Sequence, residues 1–140
     1  MAQREDRGVY RKIPVKIMGA ENEPPQPYMV PIFMEQLIKE HKEQKKKMHL
    51  IEAVSRFHLE FEGIHPFIDG NGRTGRQLLN FELMQEGYLP INVKFTDRRK
   101  YYDAFQSYHI EQNAEPMIQL IGGYVEEELD KYLEIVIGEV

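Results

Sequence analysis

Hydrophobic positions change period several times along the chain, and each change predicts an element. From Val9 to Met18 the apolar residues Val9, Ile13, Val15 and Ile17 nearly alternate, which predicts a short strand or hairpin arm. Pro14 lacks a ladder donor and assigns that arm to an edge. Asn22 to Pro31 holds four prolines and reads as an extended connector. A helical period then starts with Ile32, Phe33, Leu37 and Ile38 and fades into the basic tract from Lys39 to Lys47. Leu50, Val54, Phe57, Phe61 and Ile64 form one clean stripe of an amphipathic helix. His58 lies off that stripe and reads as structural or solvent-facing. From Arg73 to about Glu86, Leu78, Leu79, Phe81, Leu83 and Met84 occupy several faces, which predicts a central, largely buried helix. Gly87 and Pro90 stop it. Asp97 is the expected N-cap of a helix through Tyr101, Tyr102, Phe105 and Tyr108 to about Gln112. Ile118, Ile121, Val125, Leu129, Tyr132 and Val136 mark the last helix, for which packing and solubility are a sufficient account.

Composition narrows the setting. A polar tail over residues 1–8 precedes one expected domain over 9–140, since 140 residues suffice for a single core. The net charge of −5 argues against nucleic acid or an anionic membrane as partner, so the basic tract is read as a solvated helix end or loop. Without cysteine there is no disulfide, thiol nucleophile or thiolate metal site. No apolar run approaches a membrane span and the N-terminus is too polar for a signal peptide, so the expected location is cytoplasmic.

Chemistry concentrates between His65 and Arg76, in His-Pro-Phe-Ile-Asp-Gly-Asn-Gly-Arg-Thr-Gly-Arg. The residue before a proline is pushed out of the helical basin, so His65 ends the helix before it. Gly70-Asn71-Gly72 then turns into the next helix, whose free N–H groups and positive dipole end suit an anion, phosphate above all. Arg73 and Arg76, three apart, can face the same anion. Gly75 costs up to ~1 kcal/mol against alanine in a helix, which a close approach by ligand or backbone, or helix packing, would explain.

The string resembles the signature of the Fic family, His-x-Phe-x-(Asp/Glu)-Gly-Asn-Gly-Arg-x-x-Arg, with every defined position present. The resemblance implies a mostly α fold, a Fic-type helical bundle with a short β-hairpin flap near the N-terminus. It also implies a protein adenylyltransferase, a Mg²⁺-dependent nucleotidyltransferase moving AMP from ATP to a Ser, Thr or Tyr hydroxyl of a target protein. His65 would be the base and Asp69 the Mg²⁺ ligand. Gly70, Asn71, Gly72, Arg73, Thr74, Gly75 and Arg76 would hold the phosphates, with Arg76 on the terminal one. Asp97-Arg98-Arg99-Lys100-Tyr101-Tyr102 matches a family pattern whose tyrosines line the adenosine pocket, and His109 stands where relatives often have asparagine. The flap, about 9–19, would align the target segment by main-chain pairing through Val15, Lys16, Ile17, Met18 and Gly19. Glu23 replaces a common histidine before Pro24-Pro25, and Leu89 a common proline.

Gly72 bears on the reaction, because the related Doc toxins carry lysine there and act as kinases. Other phosphate-group transfer, de-AMPylation at the same loop, and a non-catalytic nucleotide-binding module are the alternatives. Retention of His65 and Asp69 speaks against the last. The resemblance further suggests an inhibitory helix, which is not found: Ser107 to Gln112 is read as coincidence. A missing inhibitory helix or a separate inhibitory partner is therefore expected, and a homodimer is an open assembly.

Overall fold

The computed structural model describes residues 3–17 and 19–138. Its α-helices are α1 (Val30–Lys47), α2 (Leu50–Ile64), α3 (Asn71–Gln85), α4 (Arg98–Glu111) and α5 (Glu115–Gly138), and the longest connection between them runs over residues 86–97. Helix α2 packs against all four others. Its stripe is buried at Val54, Phe57, Phe61 and Ile64, but so are Ala53, Ser55, His58 and Leu59. With both sides covered, α2 divides two apolar clusters. One joins Val54 and Leu59 to Leu79, Leu83, Tyr101, Met117 and Ile121; the other joins Phe57, Phe61 and Ile64 to Val30, Met34 and Leu37 of α1.

That role was expected of α3. Only Asn71, Gly75, Leu79 and Leu83 of α3 are buried, a single four-residue repeat, while Phe81 and Met84 are each 52% exposed. An apolar side chain on the outer face of an edge helix mimics burial in the sequence. Helix α1 shows the same effect: its inner face is Val30, Met34, Leu37 and His41, and Ile32 and Ile38 point outward. It also starts before Ile32, with Pro31 in its first turn, where the missing N–H costs nothing. The basic tract is its C-terminal end, and Lys45, Lys46 and Lys47 sit at the negative pole of the dipole. Helix α5 buries Met117, Ile121, Tyr124 and Val125 and leaves Leu129, Tyr132 and Val136 outside. Asp97 occupies the N-cap position of α4 without capping it; its carboxylate accepts instead from the Tyr124 hydroxyl at 2.6 Å.

The expected hairpin arm is not paired. No strand occurs among the described residues, and Met18 lies outside them. An isolated arm has no ladder to close, and Pro14 removes one of its donors. What fixes the arm is Arg11, 3% exposed. Its guanidinium donates to the carbonyls of His65 (2.7 Å), Ile13 (3.1 Å), Pro25 (2.6 Å) and Ile64 (3.2 Å), and its N–H to Pro66 at 2.8 Å. The arm, the proline connector and the C-terminus of α2 are thus tied to one cation, which also satisfies carbonyls that a helix end leaves free. Upstream, Arg4–Asp6 forms one 3-10 turn closed by Gln3 and Asp6. No helix among the described residues is long and apolar enough to cross a membrane.

Candidate active site

His65 ends α2 in the left-handed region, with φ 51° and ψ 60°, and its N–H still donates to Phe61 at 3.0 Å. A bulky residue rarely accepts that conformation, which carries strain of about 1 kcal/mol or more, and Arg11 on its carbonyl helps to hold it there. Pro66 is buried behind it. The loop then closes on itself through Asn71, whose side-chain oxygen accepts from the Phe67 N–H and whose amide donates to the Phe67 carbonyl, both at 2.8 Å. Gly70, at φ 78°, is the N-cap of α3, so the helix starts two residues earlier than its sequence pattern suggests. Phe67 packs on Phe61 and Tyr10 and anchors the loop to the α1–α2 cluster.

A cleft of about 450 Å³ opens between this loop, α4 and the N-terminal arm. It gathers His65, Gly72 and Arg76 with Tyr101, Tyr102 and His109, and Ile17 and Gly19 form its rim. Tyr101 is buried and its hydroxyl lies 2.6 Å from His58 Nε2; Tyr102 is 64% exposed at the edge. His109 stacks on Phe105 against α2 at Gly63. A second cavity of about 280 Å³ lies on the other side of His109, toward α1. The remaining sequence-derived residues are placed differently. Asp69 is exposed and its Oδ1 accepts from the Gly70 N–H at 2.9 Å. Asn71 and Gly75 are buried, Arg73 is exposed, Thr74 is half-buried, and none of these lines the cleft. Val15 and Lys16 lie along the outer arm, beside a separate groove with Glu23 and Pro24.

Two glycines are explained by what lies over them. A Cβ at Gly72 would come within 3.0 Å of Arg76 Nη1, so the bare backbone lets the guanidinium fold back over the first turn of α3. A Cβ at Gly75 would come within 2.5 Å of Glu62 Oε1 and 3.3 Å of the His58 ring. Glu62, on α2 one turn before His65, also lines the cleft.

Charge states follow from burial. The His65 imidazole is held below its usual range by burial, with the Glu62 carbonyl opposing and the Arg11 cation reinforcing the shift. It is therefore neutral at pH 7, the form a proton acceptor needs. Burial drives His58 down to about 4, so it meets the Tyr101 hydroxyl as a neutral partner. Tyr101 is pushed upward by burial, then by Glu62, and keeps its proton. Burial raises Glu62 to about 7, against the pull of Arg76.

Arg11 and Glu62 were missed in the sequence. Arg11 is one of several basic residues in a polar stretch, and only its burial distinguishes it. Glu62 sits between Phe61 and Gly63 on a helix, where a carboxylate is ordinarily solvated; a signal existed in Gly75, whose missing side chain makes its room.

One cleft of this helical domain thus gathers an imidazole, the glycine-led start of a helix and a guanidinium. Residues 1–83 match the Fic/DOC family, and the chain belongs to that family. It is 42% identical over 97 residues to a probable protein adenylyltransferase of Aquifex aeolicus, covering 69% of this chain and 29% of that protein. It is 35% identical to the protein adenylyltransferase Fic of Drosophila grimshawi, covering 90% of this chain and 26% of that protein. The fold matches a Fic-domain-containing signaling protein of Bacteroides thetaiotaomicron with a TM-score of 0.86 at 23% identity, over 94% of this chain and 56% of that one. The chain thus spans less than a third of the length of those two sequence relatives.

Proposed function

We propose that this domain is a protein adenylyltransferase that moves AMP from ATP to a Ser, Thr or Tyr hydroxyl of a target protein. The observation that carries the reading is one cleft lined by both a neutral His65 and Arg76, with Ile17 and Gly19 of the arm at its rim. Adenylyltransferase names among relatives at 35–42% identity support it.

In this reading the target hydroxyl oxygen attacks the α-phosphorus, His65 takes the hydroxyl proton, and pyrophosphate leaves. Arg76 neutralises the phosphate chain, and the N–H groups at the start of α3 face the charge that develops on it. Tyr101, Tyr102 and His109 bound the nucleoside end. Mg²⁺ fits the donor set in one way. It accepts one or two carboxylates with phosphate oxygens and water completing its shell, and Asp69 is exposed with Oδ2 unengaged by the Gly70 N–H. Asp69 would hold the ion on the nucleotide, where it supplies charge neutralisation. Groups of three or more His, Asp or Glu side chains that could hold a metal unaided are absent among the described residues. The arm would align the target segment by backbone pairing, since past Arg11 the N–H groups up to Ile17 are not bonded within the described residues.

The test uses ATP labelled at the α- or the γ-phosphate, Mg²⁺ and the purified domain. Label on protein from the α position alone is expected; label from γ alone would make the protein a kinase. His65→Ala should lower transfer by at least about a thousandfold while nucleotide binding persists. Transfer at the parental rate in that variant would remove His65 from the base's role.

A further inference from the structure

Glu62 is an ionisable group in the cleft that the transfer chemistry leaves without work, and unlike Asp103 at the edge it has a buried oxygen. Its Oε1 is buried and has no hydrogen-bond partner, lodged under Gly75, where the rings of His58 and Phe61 also lie. Yet the side chain lines the cleft that contains Arg76, and no ion pair joins the two within 4.0 Å among the described residues. A carboxylate with one oxygen buried and without a hydrogen bond is poorly stabilised as an anion.

We propose that Glu62 is a positioning residue that must be protonated for Arg76 to hold the phosphate chain, so that nucleotide binding takes up a proton. The inference rests on the nucleotide cleft proposed above. An ionised Glu62 would offset the Arg76 charge and repel the phosphates. A neutral Glu62 leaves the guanidinium's full charge to the ligand. Since the group sits near 7 in the free protein, both forms are populated at physiological pH. A phosphate chain drawn in beside it raises its affinity for the proton further, and linkage then makes nucleotide affinity fall as pH rises above about 7.

The other charged and titratable groups around Glu62 do not supply that slope. On α2, His58 and His65 are held below their usual range and are already neutral above pH 7. On α3, Arg76 stays cationic. On α4, Tyr101 is pushed upward, His109 is lowered by burial, and Tyr102 and Asp103 stand at the edge. The residues of the N-terminal arm that line the cleft, Ile17, Gly19, Ala20 and Asn22, carry no charge.

The test measures binding of Mg²⁺-loaded α,β-methylene-ATP, which cannot release AMP, between pH 7 and 9. Its terminal phosphate is ionised throughout that range. Parental affinity should fall by up to about tenfold per pH unit, and calorimetry in two buffers of different ionisation enthalpy should show net proton uptake at pH 7.5. Glu62→Gln should bind with a flat pH profile and no proton uptake, and more tightly than the parent at pH 8.5. Glu62→Asp, which keeps the acid, should restore the slope. A flat parental profile without proton uptake overturns the proposal, and this reading needs no variant to fold. The same slope in a folded Glu62→Gln variant also overturns it. Failure of the parent to bind the nucleotide at any pH would sink the nucleotide-cleft reading and the proposal together, whereas AMP transfer without proton uptake sinks this proposal alone.

Discussion

In the loop after α2, Asn71 spends both ends of its amide on Phe67, and Gly70 and Phe67 are each fixed by a contact or a bond. Along residues 12–17 no backbone N–H is bonded within the described residues, and Pro14 has none to offer. The two regions touch the same cleft and share one anchor, Arg11. A loop closed by a buried side chain that bonds its own backbone is held in shape before any ligand arrives, so less of its geometry has to be assembled during binding. An arm with unspent donors has the opposite property: its bonds are available to whatever lies beside it. The contrast supports the proposed division, with chemistry in the loop and recognition in the arm.

The most severe way to break the contrast is to remove what both regions share. Arg11→Met keeps much of the volume but strands the carbonyls of Ile64, His65, Ile13 and Pro25. It should cost about 3 kcal/mol or more of stability, read as a lowered urea midpoint at unchanged slope. Transfer should fall with it, because His65 loses the bond that helps hold its left-handed backbone. A loss below about 1 kcal/mol would mean that the arm and the end of α2 are fixed by packing and that Arg11 is incidental.

How much of this was legible depended on whether the physics was local. The loop was legible because its parts are neighbours in sequence: a pre-proline histidine ends a helix, and glycine–asparagine–glycine starts the next. Helix α2 was legible because five apolar residues share one face. The arm's alternation of Val9, Ile13, Val15 and Ile17 predicts a short strand or hairpin arm, but a strand needs a partner, and sequence alternation reports only the side chains. The order of centrality between α2 and α3 was read wrongly because Phe81 and Met84 look like core residues wherever they lie. Arg11 and Glu62 act on partners far away in the chain. Arg11 bonds residues 53 and 54 positions away, and Glu62 lies under Gly75 on the next helix, so neither role has a local signal.

A smaller effect separates the loop from the arm. Asn71→Ala removes two buried bonds that act only inside the loop and should cost about 2 kcal/mol, with the Phe67 N–H and carbonyl left unsatisfied. Transfer should drop by at least about tenfold through misplaced geometry, while affinity for the target protein, measured without nucleotide, should not change. Equal losses in transfer and target affinity would show that loop and arm form one unit.

The smallest effect on stability tests the arm alone. In an extended chain successive N–H groups point to opposite sides, so a paired target segment uses either the Val15 or the Lys16 donor but not both. Proline at one of these positions removes a pairing donor; at the other it removes a donor that faces water. Both variants should fold with stability within about 0.5 kcal/mol of the parent, because neither N–H is bonded within the described residues. One of Val15→Pro and Lys16→Pro should lower kcat/KM for the target protein by about tenfold, and the other should leave it near the parental value. Nucleotide binding should be unchanged in both, which separates a recognition defect from a damaged cleft. Parental kcat/KM in both variants would deny the arm its pairing role and leave target choice to the side chains around the rim.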